Sequence, residues 1–210
     1  MQKLNLGFLC SHGGSNMQAI IENVKKGNLL AEICAVISNN HQSGAIEKAQ
    51  KENIPYYVVN EKTHPNESVS DIKNNATNNK VNQEIIRIFK LHNVDTVILA
   101  GYMKLISQSL IDAFNGRVLN IHPALLPRFG GKGMYGLNVH KAVIDAKETK
   151  SGATIHIVNP IYDDGKILAQ VEVPVFTDDT PEILAERILK EEHKLYSATL
   201  IKISNGEIIL

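Results

Sequence analysis

At 210 residues the chain is sized for a single domain, since domains commonly run to about 100–200 residues, and residues 1–210 are read as one. Its 43% hydrophobic and 21% charged residues suit a globular protein whose core needs no disulfide or metal staple. Twenty-two basic residues balance twenty-two acidic ones, so no net field draws the chain to nucleic acid or an anionic membrane, and any anion must be held by local geometry. The longest nearly unbroken apolar stretch, Val97 to Met103, is far short of the roughly 20 residues that cross a bilayer. Lys3 and Asn5 interrupt the N-terminus, so neither a membrane span nor a signal peptide is expected. Cys10 and Cys34 each lie in an apolar run and read as buried thiols of a reducing compartment, which makes a cytoplasmic protein the expectation.

In chain order, Leu4 to Cys10 is a short apolar strand, followed by the turn Ser11-His12-Gly13-Gly14 and a helical pattern through Met17, Ile20, Ile21 and Val24. Ala31 to Ser38 reads as a strand, Ala45 to Glu52 as a helix and Tyr56 to Val59 as a strand introduced by Pro55. Glu61 to Lys80 is polar and reads as a surface loop. Val81 to Leu91 is a helix, and Val94 to Tyr102 a strand apolar enough to be buried on both faces. A strand over Arg117 to His122, a Gly-rich connection over Phe129 to Gly136 and a helix near Asn138 to Ala146 follow. Ala153 to Val158 and Ile167 to Val175 alternate as strands around an Asp-Asp-Gly turn. Thr180 is the expected N-cap, and Pro181 the first residue, of a long final helix. This succession predicts an α/β fold: an open, mostly parallel twisted sheet with helices on both faces, Rossmann-like, binding ligands beyond the C-terminal strand ends.

Three segments could carry chemistry. Ser11-His12-Gly13-Gly14-Ser15-Asn16 joins a strand to a helix, where free amides can point at a phosphate. It matches neither GxGxxG nor GxxxxGK[ST], and an ordinary βα turn has the same composition. In Asn120-Ile121-His122-Pro123 the period of two sends Asn120 and His122 to one face at a strand end, where both can donate to charge developing on a carbonyl oxygen. A partly buried histidine satisfied within the fold reads the same way. Tyr162-Asp163-Asp164-Gly165 is turn chemistry, with a carboxylate that could raise the pKa of a neighbouring imidazole. There is no HExxH, paired CxxC or GxSxG, so neither a metal nor a serine nucleophile is expected. Gly130-Gly131-Lys132-Gly133 is no phosphate loop, because Leu126 stands five places before Gly131.

Taken together, SHGGSNMQAII, LAGYMKLIS, VLNIHPALLP, SGATIHIVNPIYDDGKILAQ and EEHKLY, in this order over residues 4 to about 200, resemble the folate-dependent phosphoribosylglycinamide formyltransferase family. VLNIHPALLP is shared with a wider group of formyl-tetrahydrofolate enzymes; the early SHGGSN and late EEHKLY narrow the choice. The resemblance implies formyl transfer from 10-formyltetrahydrofolate, a cosubstrate, to the amine of glycinamide ribonucleotide, without a metal. It implies Asn120, His122 and Asp163 as catalytic residues, with Asp163 keeping His122 protonated and Asp164 a structural turn residue. It places the ribonucleotide on Gly13, Gly14, Ser15, Asn16 and Glu192, although by sequence alone Glu192 is one more exposed charge. It places the folate on Met103, Lys104, Leu105, Ile106 and Asn120 with the loop Asn159, Pro160, Ile161 and Tyr162. The expected partners are these small molecules, without nucleic acid or membrane, in a monomer or homodimer.

The chain departs from the family twice. Where many relatives carry an arginine that meets the folate, this chain reads Asn78-Asn79-Lys80, with Lys80 the available substitute. Between Pro127 and His140 it reads RFGGKGMYGLNVH instead of a proline-glycine-histidine segment. The competing functions are another formyl-folate enzyme, such as formyltetrahydrofolate deformylase or a formyltransferase acting on aminoacyl-tRNA or an amino sugar, and a non-catalytic nucleotide-binding module. The former usually carry a further domain, for which the residues past Leu200 leave no room.

Overall fold

The computed structural model describes residues 1–65 and 80–210. The strands are β1 (Leu4–Cys10), β2 (Ala31–Ser38), β3 (Tyr56–Val58), β4 (Thr96–Ala100), β5 (Val118–His122), β6 (Lys150–Ile157) and β7 (Ile167–Pro174). The helices among the described residues are α1 (Ser15–Lys25), α2 (Gly44–Lys51), α3 (Lys80–Leu91), α4 (Gln108–Ala113), α5 (Leu137–Asp145) and α6 (Pro181–Ser204). Most of the loop expected over Glu61 to Lys80, together with Asn78 and Asn79, lies outside the described residues.

The strands form one sheet in the order β3-β2-β1-β4-β5-β6-β7. The pairs from β3 to β5 are parallel, whereas β6 is antiparallel to both β5 and β7. The expected open, mostly parallel α/β sheet is therefore present. From β1 the chain winds outward to β2 and β3, then returns to β4 and winds the other way, so helices cover both faces. Period two assigns the core. Leu4, Leu6, Phe8 and Cys10 of β1, with Ile98 and Ala100 of β4, pack with Met17, Ile20 and Ile21 of α1 and with Leu184, Ile188 and Tyr196 of α6. Leu9, Val97 and Leu99 face Val81, Ile85, Ile88 and Phe89 of α3 and Leu110 and Ile111 of α4. Each fully buried aliphatic side chain contributes about 1.5–3 kcal/mol, which makes this two-sided burial the main force holding the layers.

Thr180 caps α6 as expected, its side chain accepting from the Ile183 N–H, with Pro181 in the first turn. β4 is shorter than expected, because Gly101 takes φ +70° and turns the chain out of the sheet. Helix α4 was not expected. Cys10 and Cys34 are free, buried thiols, and no helix among the described residues is long and apolar enough to cross a membrane.

Candidate active site

The chain winds away in opposite directions from β1 and β4, and this switch point is where an open parallel sheet leaves a crevice. Beyond it, the Ser11 N–H donates to Gly101 O at 3.2 Å, and Ser11 Oγ accepts from the Met103 N–H at 2.9 Å. The phosphate-loop candidate and the LAGYM segment are thereby tied together. Gly14 is the N-cap of α1 with φ 64° and ψ 37°, a left-handed geometry that favours glycine. A Cβ there would also lie 2.8 Å from Ala45 Cβ. Gly14 brings no capping side chain, so the first amides of α1 are left for an anion.

Asn16, on that first turn, is buried; its Nδ2 donates to Glu192 Oε2 at 2.7 Å, and its buried Oδ1 has no hydrogen-bond partner among the described residues. Glu192 is only 8% exposed, which corrects its reading as a surface charge. The signal was in the sequence, since Leu184, Ile188, Glu192, Tyr196 and Leu200 recur every four residues on one helix face. Burial raises the Glu192 carboxyl above its ordinary range, opposed by the bond from Asn16.

Asn120 and His122 leave β5 on one face, as expected. β6 pairs with β5 so that His156 stands opposite Asn120 and Thr154 opposite His122. His156, which the sequence reading missed, places Nε2 3.1 Å from Asn120 Nδ2. Its Nδ1 lies 3.0 Å from the Ile157 carbonyl. A carbonyl can only accept, so Nδ1 carries the hydrogen and Nε2 accepts from Asn120. Thr154 Oγ1 donates to Ala124 O at 2.6 Å and accepts from the Leu126 N–H at 3.1 Å, which pins the chain just after His122-Pro123.

The third residue comes from the turn after β6. Gly165 is pressed against β6 so closely that a Cβ would lie 1.6 Å from Ile157 O. This tight return carries Asp163, at φ +57°, back over the strand end. Asp163 Oδ2 lies 3.4 Å from His122 Nδ1 and accepts from the Gly131 N–H at 2.9 Å. Its Oδ1 lies 3.6 Å from His156 Nε2. Nε2 of His122 faces the Phe129 carbonyl at 2.8 Å. Phe129 and Gly131 of the Gly-rich connection thus stand against His122 and Asp163.

Burial pulls the His122 imidazole below its ordinary pKa. Asp163 and the Phe129 carbonyl act in the expected upward direction but do not overcome it. Burial works to raise the Asp163 carboxyl, and is outweighed by His122 and the Gly131 N–H, which leave it below the usual carboxylate range; Nε2 of His156, occupied with the Asn120 amide, has no hydrogen to add to them. The result is a carboxylate held charged beside an imidazole whose protonation burial opposes and Asp163 favours.

The segment after β4 exposes Met103, Lys104 and Leu105, whereas the Ile106 side chain is 3% exposed and belongs to the core with Val81 and Leu110. Lys104 pairs with Glu61 at 3.0 Å, and both line a cavity of about 120 Å³ with Tyr102, Leu105, Asn39 and Asn60. Across the site, Pro160, Ile161 and Tyr162 are exposed. Asn159 holds their loop by donating to Asp164 at 3.1 Å and accepting from the Ile161 N–H at 3.0 Å. No group of His, Cys, Asp and Glu side chains among the described residues could hold a metal ion.

Residues 4–200 match the family described as Formyl transferase. The chain is 43% identical over 196 residues to phosphoribosylglycinamide formyltransferase, chloroplastic, of Arabidopsis thaliana; the match covers 93% of this chain and 63% of the plant protein, less than two thirds of its length. The fold is similar to the crystal structure of glycinamide ribonucleotide transformylase 1 from Symbiobacterium toebii, with a TM-score of 0.87 at 30% identity over 99% of this chain and 91% of that one. It is also similar to phosphoribosylglycinamide formyltransferase from Brucella melitensis, with a TM-score of 0.83 at 36% identity over 100% and 99% of the two chains.

Proposed function

The chain belongs to the formyl transferase family, and from that membership we propose that it transfers the formyl group of 10-formyltetrahydrofolate to the glycine amine of glycinamide ribonucleotide, a step of purine synthesis. The observation that carries the proposal is the convergence of Asn120, His122 and Asp163 at the strand ends, beside a helix N-terminus open to phosphate.

The amine attacks the formyl carbon, the carbonyl electrons move onto oxygen, and the adduct collapses with loss of the folate N10. One C–N bond forms, one breaks, and one proton passes in net from the amine to N10. Charge developing on the formyl oxygen calls for fixed donors. Asn120 offers the amide hydrogen that His156 does not use, and His122 offers its ring N–H. Because both His122 nitrogens already face acceptors, Nε2 exchanges the Phe129 carbonyl for the substrate oxygen. Asp163 favours the protonated form of His122 that makes this donation and, through water, relays the proton of the amine toward N10.

Gly13, Gly14, Ser15 and Asn16 take the 5′-phosphate. Glu192, together with the partnerless Oδ1 of Asn16, takes ribose hydroxyls, which are donors. The exposed apolar surface of Met103, Leu105, Ile161 and Tyr162, with Lys104, the Ile106 backbone, Asn159 and Pro160, takes the folate. In this reading residues 1–210 are one formyltransferase domain, a monomer or homodimer, working in the cytoplasm with its two thiols reduced.

The test supplies purified protein with 10-formyltetrahydrofolate alone, with glycinamide ribonucleotide, and with other amines, and follows products by mass spectrometry. Formylated ribonucleotide is the expected product. Formate released without an amine points instead to a deformylase, and failure to bind any reduced folate overturns the enzyme reading.

A further inference from the structure

The turn that offers its amides to phosphate contains no lysine or arginine of its own, yet a phosphate dianion is held best where a cation meets it. One lysine is brought there from outside. Helix α2 lies on the turn: Ser43, its N-cap, donates Oγ to His12 O at 2.5 Å, and the Ala45 N–H donates to the same carbonyl at 3.2 Å. Gly44 approaches so closely that a Cβ on it would sit 3.3 Å from Gly13 Cα. Lys48, four residues on, shares the Gly44 face of the helix, and its ammonium donates to Gly13 O at 2.7 Å. Glu52, the next residue of this column, is paired with Lys25. Lys48 therefore has a backbone carbonyl as its partner and no carboxylate in an ion pair with it among the described residues. Asn16 Oδ1, buried and partnerless, is an acceptor on the same first turn of α1 and calls for a donor of the ligand, such as a ribose hydroxyl, beside the phosphate.

We propose that Lys48 is the cation of the phosphate site, its ammonium held ready on the Gly13 carbonyl and turning to the 5′-phosphate of the acceptor. This rests on the ribonucleotide reading above and adds to it a residue outside the turn motif. A neutral carbonyl gives up an ammonium at low cost, whereas a salt-bridged carboxylate would compete with the ligand, so the observed pairing keeps the charge available.

Lys48→Met should raise KM for glycinamide ribonucleotide about 10- to 100-fold, the scale of one charge-assisted hydrogen bond, while KM for 10-formyltetrahydrofolate stays put. Glycinamide riboside, which lacks the phosphate, should react equally with wild type and Lys48→Met, and Lys48→Arg should restore most of the ribonucleotide affinity. An unchanged ribonucleotide KM overturns the proposal. So does an equal loss toward the riboside, which would make Lys48 a mere tether of the turn. Inorganic phosphate binding, followed by phosphorus NMR, separates this from the proposed reaction. Phosphate binding that is lost in Lys48→Met sustains the assignment even if wild type turns over no ribonucleotide; phosphate binding independent of Lys48 defeats it.

Discussion

Nδ2 of Asn120 lies 3.1 Å from Nε2 of His156, directly across the β5–β6 pair. Since the Ile157 carbonyl engages the other ring nitrogen of His156, the imidazole has one lone pair to offer, and it fixes which way the Asn120 amide points. An unfixed amide rotates, and its donor spends time away from the reacting oxygen. His156→Phe should therefore lower kcat by about 10- to 100-fold with little change in either KM, as for loss of a preorganised donor. In a double-mutant cycle Asn120→Ala should cost far less in the His156→Phe background than in wild type. Additive losses would show that His156 acts independently of Asn120.

Asp163→Asn keeps the shape and leaves an acceptor for the Gly131 N–H, but removes the charge 3.4 Å from His122. That charge is one of the influences raising the His122 pKa against burial, so the pKa should fall further. Turnover at neutral pH should drop by at least about 100-fold, with substrate binding changed much less. NMR titration of His122 and the pH-rate profile check both parts. An unmoved His122 pKa would leave Asp163 only the proton relay; a folded and fully active Asp163→Asn would remove it from the mechanism.

The central strands were legible because they are buried on both faces: the bounds of β1 and β2 follow from apolar runs ended by the turn residues Ser11 and Asn39. Helix α4 escaped because it has six residues, of which Leu110 and Ile111 are its buried anchors, too few for a period. The pairing of Asn120 with His122 was legible in strand alternation alone. Asp163 was not, since its link to Gly131 spans 32 residues and depends on how the turn folds back; only the family resemblance supplied it. His156 had a signal that went unused, because Thr154 and His156 are polar steps in the otherwise apolar run Ala153 to Val158. Their meaning depends on β6 being antiparallel to β5, which alternation cannot reveal.

His140 of α5 is 4% exposed, and its Nδ1 has no partner among the described residues. Burial, with a further contribution from the nearby His122, pushes its pKa down from 6.5 to about 4. Between these values the unfolded chain binds a proton that the native chain refuses, so stability falls as pH falls. The loss begins near pH 6.5 and reaches about 3 kcal/mol by pH 4. His140→Leu, with Val139 and Val143 buried in the same helix, removes this cost. Urea unfolding at neutral and acid pH should show wild type losing more stability than the variant. Parallel pH dependences would mean that His140 titrates normally in the folded protein.

Gly14 carries two demands at once: a left-handed backbone and a Cα pressed against α2, where an added Cβ would lie 2.8 Å from Ala45 Cβ and 3.0 Å from Ala45 Cα. Gly14→Ala meets both penalties, left-handed strain and overpacking, for a combined loss of about 2–4 kcal/mol. The chain can yield only by moving α2 or by reshaping the turn, and either change disturbs the amides offered to phosphate. Ribonucleotide affinity should therefore fall much more than folate affinity, because the folate candidates belong to the segments after β4 and β6. Ala45→Gly, added as a second change, removes the nearer of the two contacts and should recover part of the stability, but not the part due to φ. Urea unfolding and the two dissociation constants, measured on wild type, Gly14→Ala and the double variant, separate these effects. Equal weakening of both ligands would mean that the damage spreads through the sheet, and no recovery from Ala45→Gly would assign the whole cost to the backbone.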